Sequence, residues 1–242
     1  LIAGGGVILC LDAGNTRLKW GLREGPAWRG QGVLALDDSD GIATLLPAVS
    51  EHILACNVAG DAVAQRIEDS AAGFGVPLEW FRSSAACCGV TNGYANPSQL
   101  GADRWAALVG ARGVLTSPAL VVMAGTATTI DVLDAEGTFR GGLILPGLDL
   151  MRQALARNTA GLPEARGAYR DIPTNTDDAI VSGALHATLG AIERMARHVA
   201  DGAGTVILSG GAAEKLAPHI RLPLRRVDNL VLEGLARVAA PC

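Results

Sequence analysis

Aromatic residues are scarce in this chain, at 4% of its 242 positions. The four tryptophans, Trp20, Trp28, Trp80 and Trp105, are not interleaved with basic residues, so the stacking platforms of a nucleic-acid binder are missing. A basic block is missing too: formal net charge is −4, and no nucleic-acid partner held by electrostatics is expected. No long hydrophobic run occurs. The longest, residues 119 to 124, is strand-length, as is the run 206 to 208, far below the roughly 20 residues of a membrane helix, so no membrane segment is expected. Cysteine is sparse and odd in number. Cys10, Cys56, Cys87, Cys88 and Cys242 lack metal-ligand spacing, and Cys87 with Cys88 would close only a strained ring, so a reducing, cytoplasmic location is expected. His52, His186, His198 and His219 are scattered without the spacing of a zinc site. The opening LIAGGG lacks an initiating Met and a positive n-region and reads as a trimmed start, not a signal peptide. No G-x-x-x-x-G-K-[ST] is present, which excludes a P-loop, and no G-x-G-x-x-G opens a helix after a strand, which argues against a dinucleotide site.

What is present is a chain with 49% hydrophobic and 18% charged residues, long enough to bury one large core or two smaller ones. Runs of Val, Ile and Leu alternate with Ala-rich stretches, the pattern of an α/β protein whose sheet is covered by helices. Residues 7 to 12 and 17 to 23 predict a hairpin, 52 to 57 a buried strand, 60 to 73 a helix, 75 to 82 a further strand, and 103 to 113 a helix. Near Ser117 and Pro118 the pattern restarts. The stretch ALVVMAGTATTIDVLDAEGTFRGGLILPG repeats the order of GVILCLDAGNTRLKWGLREGPAWRGQGVL: strand, turn with glycine and threonine, strand, glycine turn, strand. So long a period implies two similar lobes, residues 1–117 and 118–242, with a cleft between them. Residues 176 to 199 predict a helix with Thr176 as its N-cap and Asp177 and Asp178 in its first turn. A strand, a Ser-Gly-Gly turn and a helix from about Ala212 follow.

Three glycine turns follow apolar strands: Gly14 to Thr16, Gly125 to Thr129, and Gly210 with Gly211. Glycine lets backbone N–H groups approach an anion, and the hydroxyls of Thr16, Thr126 and Thr129 can donate to phosphate oxygens. Read alone, the first turn is equally a tight hairpin bend. Asp12, where the first strand stops, would face the phosphates directly or through magnesium-bound water. Lys19 on the next strand could reach the same anion, or be an ordinary exposed strand lysine.

The second constellation is TNGYANPSQLGADRWAALVGAR, residues 91 to 112. Asn92 to Gln99 read as a loop, and Gly101 and Ala102 precede a helix opening with Asp103. Asp103 fits a general base for a substrate hydroxyl, or a carboxylate placed by the helix dipole alone. Arg104 fits a carboxylate or phosphate clamp, and Tyr94 a pocket wall or a packed loop aromatic.

These motifs, DAGNTRLKW (12 to 20), NGYANPSQLGADRW (92 to 105), GTATTID (125 to 131), GGLILPG (141 to 147), NTDDAIVSGA (175 to 184) and LSGG (208 to 211), resemble in kind and order those of the type III pantothenate kinases, members of the sugar kinase, Hsp70 and actin superfamily. The resemblance implies duplicated ribonuclease H-like domains and ATP- and magnesium-dependent phosphorylation of pantothenate, the first step of coenzyme A synthesis. It implies that Asp12, Ala13, Gly14, Asn15, Thr16, Arg17, Leu18 and Lys19 form the first nucleotide-binding segment and that Thr126 contacts ATP from the second. Tyr94, Gly101, Ala102, Asp103, Arg104 and Thr176 would bind pantothenate, Asp103 taking the hydroxyl proton. It further implies a homodimer in which Thr176 serves the neighbouring subunit. One position departs from the family pattern. Many relatives carry an aspartate for potassium or ammonium two residues before the second glycine bend, where this chain has Met123, a poor ligand for a hard cation. The rival expectations are a sugar kinase of the same superfamily and a catalytically reduced, nucleotide-binding accessory protein of the same fold.

Overall fold

The computed structural model describes residues 6–49, 51–202 and 204–240. The opening stretch read as a trimmed start and the terminal Cys242 therefore lie almost wholly outside the described residues. The chain forms two compact units. The first holds residues up to Val114 together with the chain from Asn229 onward, and the second Leu115–Asp228.

The first unit begins with a meander of β1 (Val7–Ala13), β2 (Leu18–Glu24) and β3 (Ala27–Leu34). Helix α1 (Ser39–Leu45) leads to β4 (Ile53–Asn57), α2 (Asp61–Phe74) and β5 (Leu78–Trp80). A short hairpin, β6 (Ala86–Cys87) and β7 (Val90–Asn92), precedes α3 (Ala102–Val114). The sheet order is β3-β2-β1-β4-β5, with β1 antiparallel to β2 and parallel to β4. All seven residues of β1 are buried, as expected of a central strand covered on both faces. Leu9, Leu11 and Ala13 share a core with Val63, Ile67 and Ala71, which fall at helical spacing along α2. The alternate residues, Cys10 and Asp12, point to the other face.

The second unit repeats this plan. Strands β8 (Ala119–Ala124), β9 (Ala127–Leu133) and β10 (Thr138–Pro146) form the meander, followed by α4 (Leu148–Asn158) and α5 (Thr176–Ala196). Then come β11 (Thr205–Ser209), the four-residue α6 (Ala213–Leu216) and β12 (Leu224–Arg226). Its five strands run β12-β11-β8-β9-β10, with β8 antiparallel to β9 and parallel to β11. Three antiparallel strands joined at the first to two parallel ones is the ribonuclease H-like order, present in both units. Ile180, Ala184, Leu185, Leu189 and Ile192 form the buried face of α5.

Two expectations need correction. The last helix, α7 (Leu230–Ala239), falls within the expected second lobe of 118–242 but packs in the first unit, against α3 and β1. Its backbone passes so close to α3 that a Cβ on Gly234 would overlap the Ala106 carbonyl, and one on Gly110 the Leu230 carbonyl. Only glycines permit that crossing, and it buries Leu230, Val231, Leu232 and Leu235. The N-cap of α5 is Asn175, not Thr176: Asn175 Oδ1 accepts the Asp178 N–H at 2.9 Å, leaving Thr176 as the first helical residue. Asparagine is among the strongest N-caps and here outcompetes the threonine beside it.

Candidate active site

Strand register builds the first half of the site. Asp12 stands directly opposite Lys19 on β2 and Cys56 on β4, so the three side chains form one row across the sheet. Asp12 is only 7% exposed, and burial pushes its carboxyl up to about 6, against the pull of Lys19 and with the charge of Asp103 adding to the rise. The Cys56 thiol lies 3.6 Å from Asp12 Oδ1. Burial, reinforced by the charges of Asp12 and Asp103, holds that thiol protonated far above its usual range, so it donates to the carboxylate.

Beyond Asp12 the chain bends through Gly14, Asn15, Thr16 and Arg17. The turn closes with the Gly14 N–H donating to the Arg17 carbonyl at 3.2 Å, and Asn15, Thr16 and Arg17 are exposed. Gly14 lies outside the left-handed region, and a Cβ there would meet nothing nearer than 3.6 Å. Neither strain nor packing demands that glycine, which leaves a bare, approachable backbone as its use. The side chains of Ala13 and Leu18 lie in the core under α2, so these two predicted ATP contacts can be made only through backbone. Gly125 in the second unit has the same character. Its N–H donates to the Ala127 carbonyl at 3.0 Å, its φ is not left-handed, and a Cβ would meet no atom nearer than 3.4 Å.

Thr126 is exposed on that second bend, which Gly147 braces: the Gly147 N–H donates to the Thr126 carbonyl at 2.8 Å, and a Cβ on Gly147 would overlap the Gly125 carbonyl. One sequence reading needs correction here, and a second gains a structural explanation. Thr129 lies within β9, buried opposite Met123 and Ile144, not on the bend, because the strand already resumes at Ala127. Gly210 has φ +102 and a Cβ there would overlap the Ala124 carbonyl, so backbone geometry alone explains this third glycine turn.

The loop before α3 is pinned by a residue to which sequence reading gave no role. Asn92, 7% exposed, donates through Nδ2 to Ser83 Oγ at 3.0 Å and to the Ser84 carbonyl at 3.2 Å, while its Oδ1 accepts the Tyr94 N–H at 3.1 Å. Tyr94 and Arg104 come together: Arg104 Nη1 donates to Tyr94 Oη at 3.1 Å, and its guanidinium lies 5.8 Å from the ring centre. Arg104 is buried, so its charge is held rigidly in the protein. Gly101 accepts the Trp105 N–H through its carbonyl at 2.9 Å and so starts α3. Asp103 is half-buried in the first turn of α3, with Oδ1 accepting the Arg104 N–H at 2.8 Å. Its charge is felt by both Asp12 and Cys56, which puts the two carboxylates in one electrostatic neighbourhood. A cavity of about 520 Å³ lies beside the start of α3, lined by Ala102 with Arg82, Ser83, Ser98 and Leu100 among others, but not by Tyr94 or Asp103. Its size is that of a small-molecule site. Thr176 is exposed at the start of α5, in the second unit, whereas Tyr94, Gly101, Ala102, Asp103 and Arg104 belong to the first.

Two units of one strand order, each with an undemanded glycine in the bend after its first strand, define a class: the actin-like ATPase and sugar-kinase fold. Solved structures of that architecture match nearly the whole chain. A conserved Baf-family protein from Campylobacter jejuni has a TM-score of 0.64 at 20% identity, covering 95% of this chain and 96% of that one. A Sinorhizobium meliloti protein described as a 2-dehydro-3-deoxygalactonokinase has a TM-score of 0.62 at 17% identity, covering 96% and 98%. Likeness at such identities speaks for fold alone. Sequence carries the rest: the family model for type III pantothenate kinase matches residues 8–198. A type III pantothenate kinase of Aromatoleum aromaticum is 52% identical over 239 residues, covering 96% of this chain and 98% of that one. The chain belongs to the type III pantothenate kinase family.

Proposed function

We infer that this protein transfers the terminal phosphoryl group of ATP to the primary hydroxyl of pantothenate, the first step of coenzyme A synthesis, in the cytoplasm. The observation that carries the reading is the family match over residues 8–198, which takes in Asp12 at the end of β1 and Asp103 in the first turn of α3, both in the first unit. Phosphoryl transfer asks a protein chiefly to position two substrates and to stabilise spread negative charge. In this reading the Gly14 to Thr16 and Gly125 to Thr126 bends hold phosphate oxygens, Lys19 adds positive charge, and Arg104 with Tyr94 and Thr176 orients pantothenate. Asp103 accepts the proton of the attacking hydroxyl.

The donor set fits magnesium. Among the described residues no group of three His, Cys, Asp or Glu side chains could hold a metal by itself. Magnesium keeps much of its water and is commonly held by one or two carboxylates plus substrate phosphates, and Asp12 supplies such a carboxylate. When bound, the ion would neutralise charge on the phosphates. Met123, half-buried on β8 between Thr129 and Ser209, offers only a thioether where potassium or ammonium would need hard oxygen ligands. We expect a coupled ADP-release assay to give turnover with pantothenate and none with a panel of sugars, unchanged when potassium and ammonium are omitted. Turnover on a sugar would overturn the substrate assignment, and a strict need for either cation would overturn the reading of Met123.

The active form in this reading is a homodimer whose second copy supplies Thr176. Support comes from the second unit, where Thr176 is exposed and the large apolar Leu143, Ile144, Leu150, Leu155 and Ile172 are exposed as well. Sedimentation equilibrium at assay concentrations should return a dimer; a fully active monomer would remove Thr176 from the partner's site.

A further inference from the structure

Cys56 is buried on β4, in a strand whose neighbours Leu54 and Ala55 are plain core residues, and the chemistry described so far does not use it. A buried thiol is ordinarily a small hydrophobe with a weak donor. This one differs in what it faces. Parallel pairing of β1 with β4 sets Cys56 beside Asp12, and Sγ lies 3.6 Å from Oδ1. On the opposite flank of the same carboxylate stands Lys19, fixed there by the antiparallel pairing of β1 with β2. Asp12 is also the penultimate residue of a buried strand, just before the bend begins. Its carboxylate is thus a group whose rotamer matters and whose neighbours on both sides are set by sheet register, not by flexible loops.

We propose that Cys56 is a positioning residue: its thiol proton, donated to Asp12 Oδ1, fixes the carboxylate so that the other oxygen is free to meet the magnesium–nucleotide complex. The inference rests on the reading of Asp12 as the magnesium-side carboxylate. A serine at position 56 keeps the donor, whereas alanine and valine remove it, alanine with loss of volume and valine with a small gain, so that an effect shared by both is not one of volume. Binding measured by calorimetry separates positioning from packing, because ADP can be titrated with magnesium or with EDTA. Losing one hydrogen bond from a weak thiol donor should weaken magnesium–ADP binding by about 2- to 10-fold in Cys56→Ala and Cys56→Val, with binding in EDTA unchanged and Cys56→Ser close to wild type. Equal losses with and without magnesium, or no loss in either donorless variant, would mean that Cys56 only packs, and the proposal would be wrong. Asp12→Asn is the companion control. If that variant keeps its full magnesium-dependent gain in ADP affinity, the reading of Asp12 has failed; if it loses the gain while the Cys56 variants keep it, only the positioning role has failed. Should one of the two donorless variants not fold, the other carries the same test, since alanine and valine err on opposite sides of the cysteine's volume.

Discussion

Asp103→Asn is expected to lower kcat by roughly 100- to 10,000-fold, the range general-base catalysis supplies, while leaving the fold and the KM for ATP near wild type. The substitution keeps the shape of the side chain. Asparagine Oδ1 can still accept the Arg104 N–H, the bond that Asp103 makes at 2.8 Å at the start of α3. What it removes is the ability to take a proton, together with a favourable charge at a helix N-terminus worth about 0.3–1 kcal/mol. That helix is anchored elsewhere, through buried Trp105, Leu108 and Val109 and the close crossing with α7, and a loss this small will not unfold it. Steady-state kinetics with a circular-dichroism melt tests this. Turnover close to wild type in a folded variant would take Asp103 out of the chemistry, and the helix-dipole explanation of that aspartate would then suffice.

The repeated meander could be read in the sequence because its signals are local: alternating apolar residues, glycine bends after the first strand of each unit, and the same order of parts twice. What could not be read depends on pairing across distance. Where α7 packs is set by Gly110 and Gly234, two unremarkable glycines until their backbones are seen to touch. Cys56 reads as one more core residue of a buried strand until β1–β4 register places it against a residue 44 positions away. Asn92 reads as a loop asparagine, yet its amide ties together Ser83, Ser84 and Tyr94 and so sets the geometry of the Tyr94–Arg104 pair. The glycine bends were the surest sequence signal, and even there structure sorts them: Gly14 and Gly125 have no backbone reason to be glycine, while Gly210 does.

Asp12→Asn is expected to make the nucleotide-free protein more stable at pH 8 than wild type, relative to the same comparison at pH 4, while abolishing the magnesium-dependent part of nucleotide binding. The sign follows from the buried carboxyl, whose folded value of about 6 stands above its usual 3.8. Below the lower value both folded and unfolded chains hold the proton, and Asp12 contributes nothing. As pH rises between the two, the unfolded chain ionises first and the folded state loses stability; above about 6 the full penalty is in place. A carboxyl raised that far costs the folded state about 3 kcal/mol, an upper figure for a group that keeps Lys19 as a partner. Asparagine does not titrate, so its own packing and hydrogen-bonding costs are common to both pH values and cancel from the comparison. All four tryptophans lie in the first unit, so urea unfolding followed by their fluorescence, in EDTA at pH 4 and pH 8, reports on the unit that holds Asp12. Wild type and variant responding in parallel to the change of pH would show that Asp12 carries no burial penalty. A gain in stability joined to a loss of magnesium–nucleotide affinity is the signature of a residue kept charged and buried for binding, against the interest of the fold.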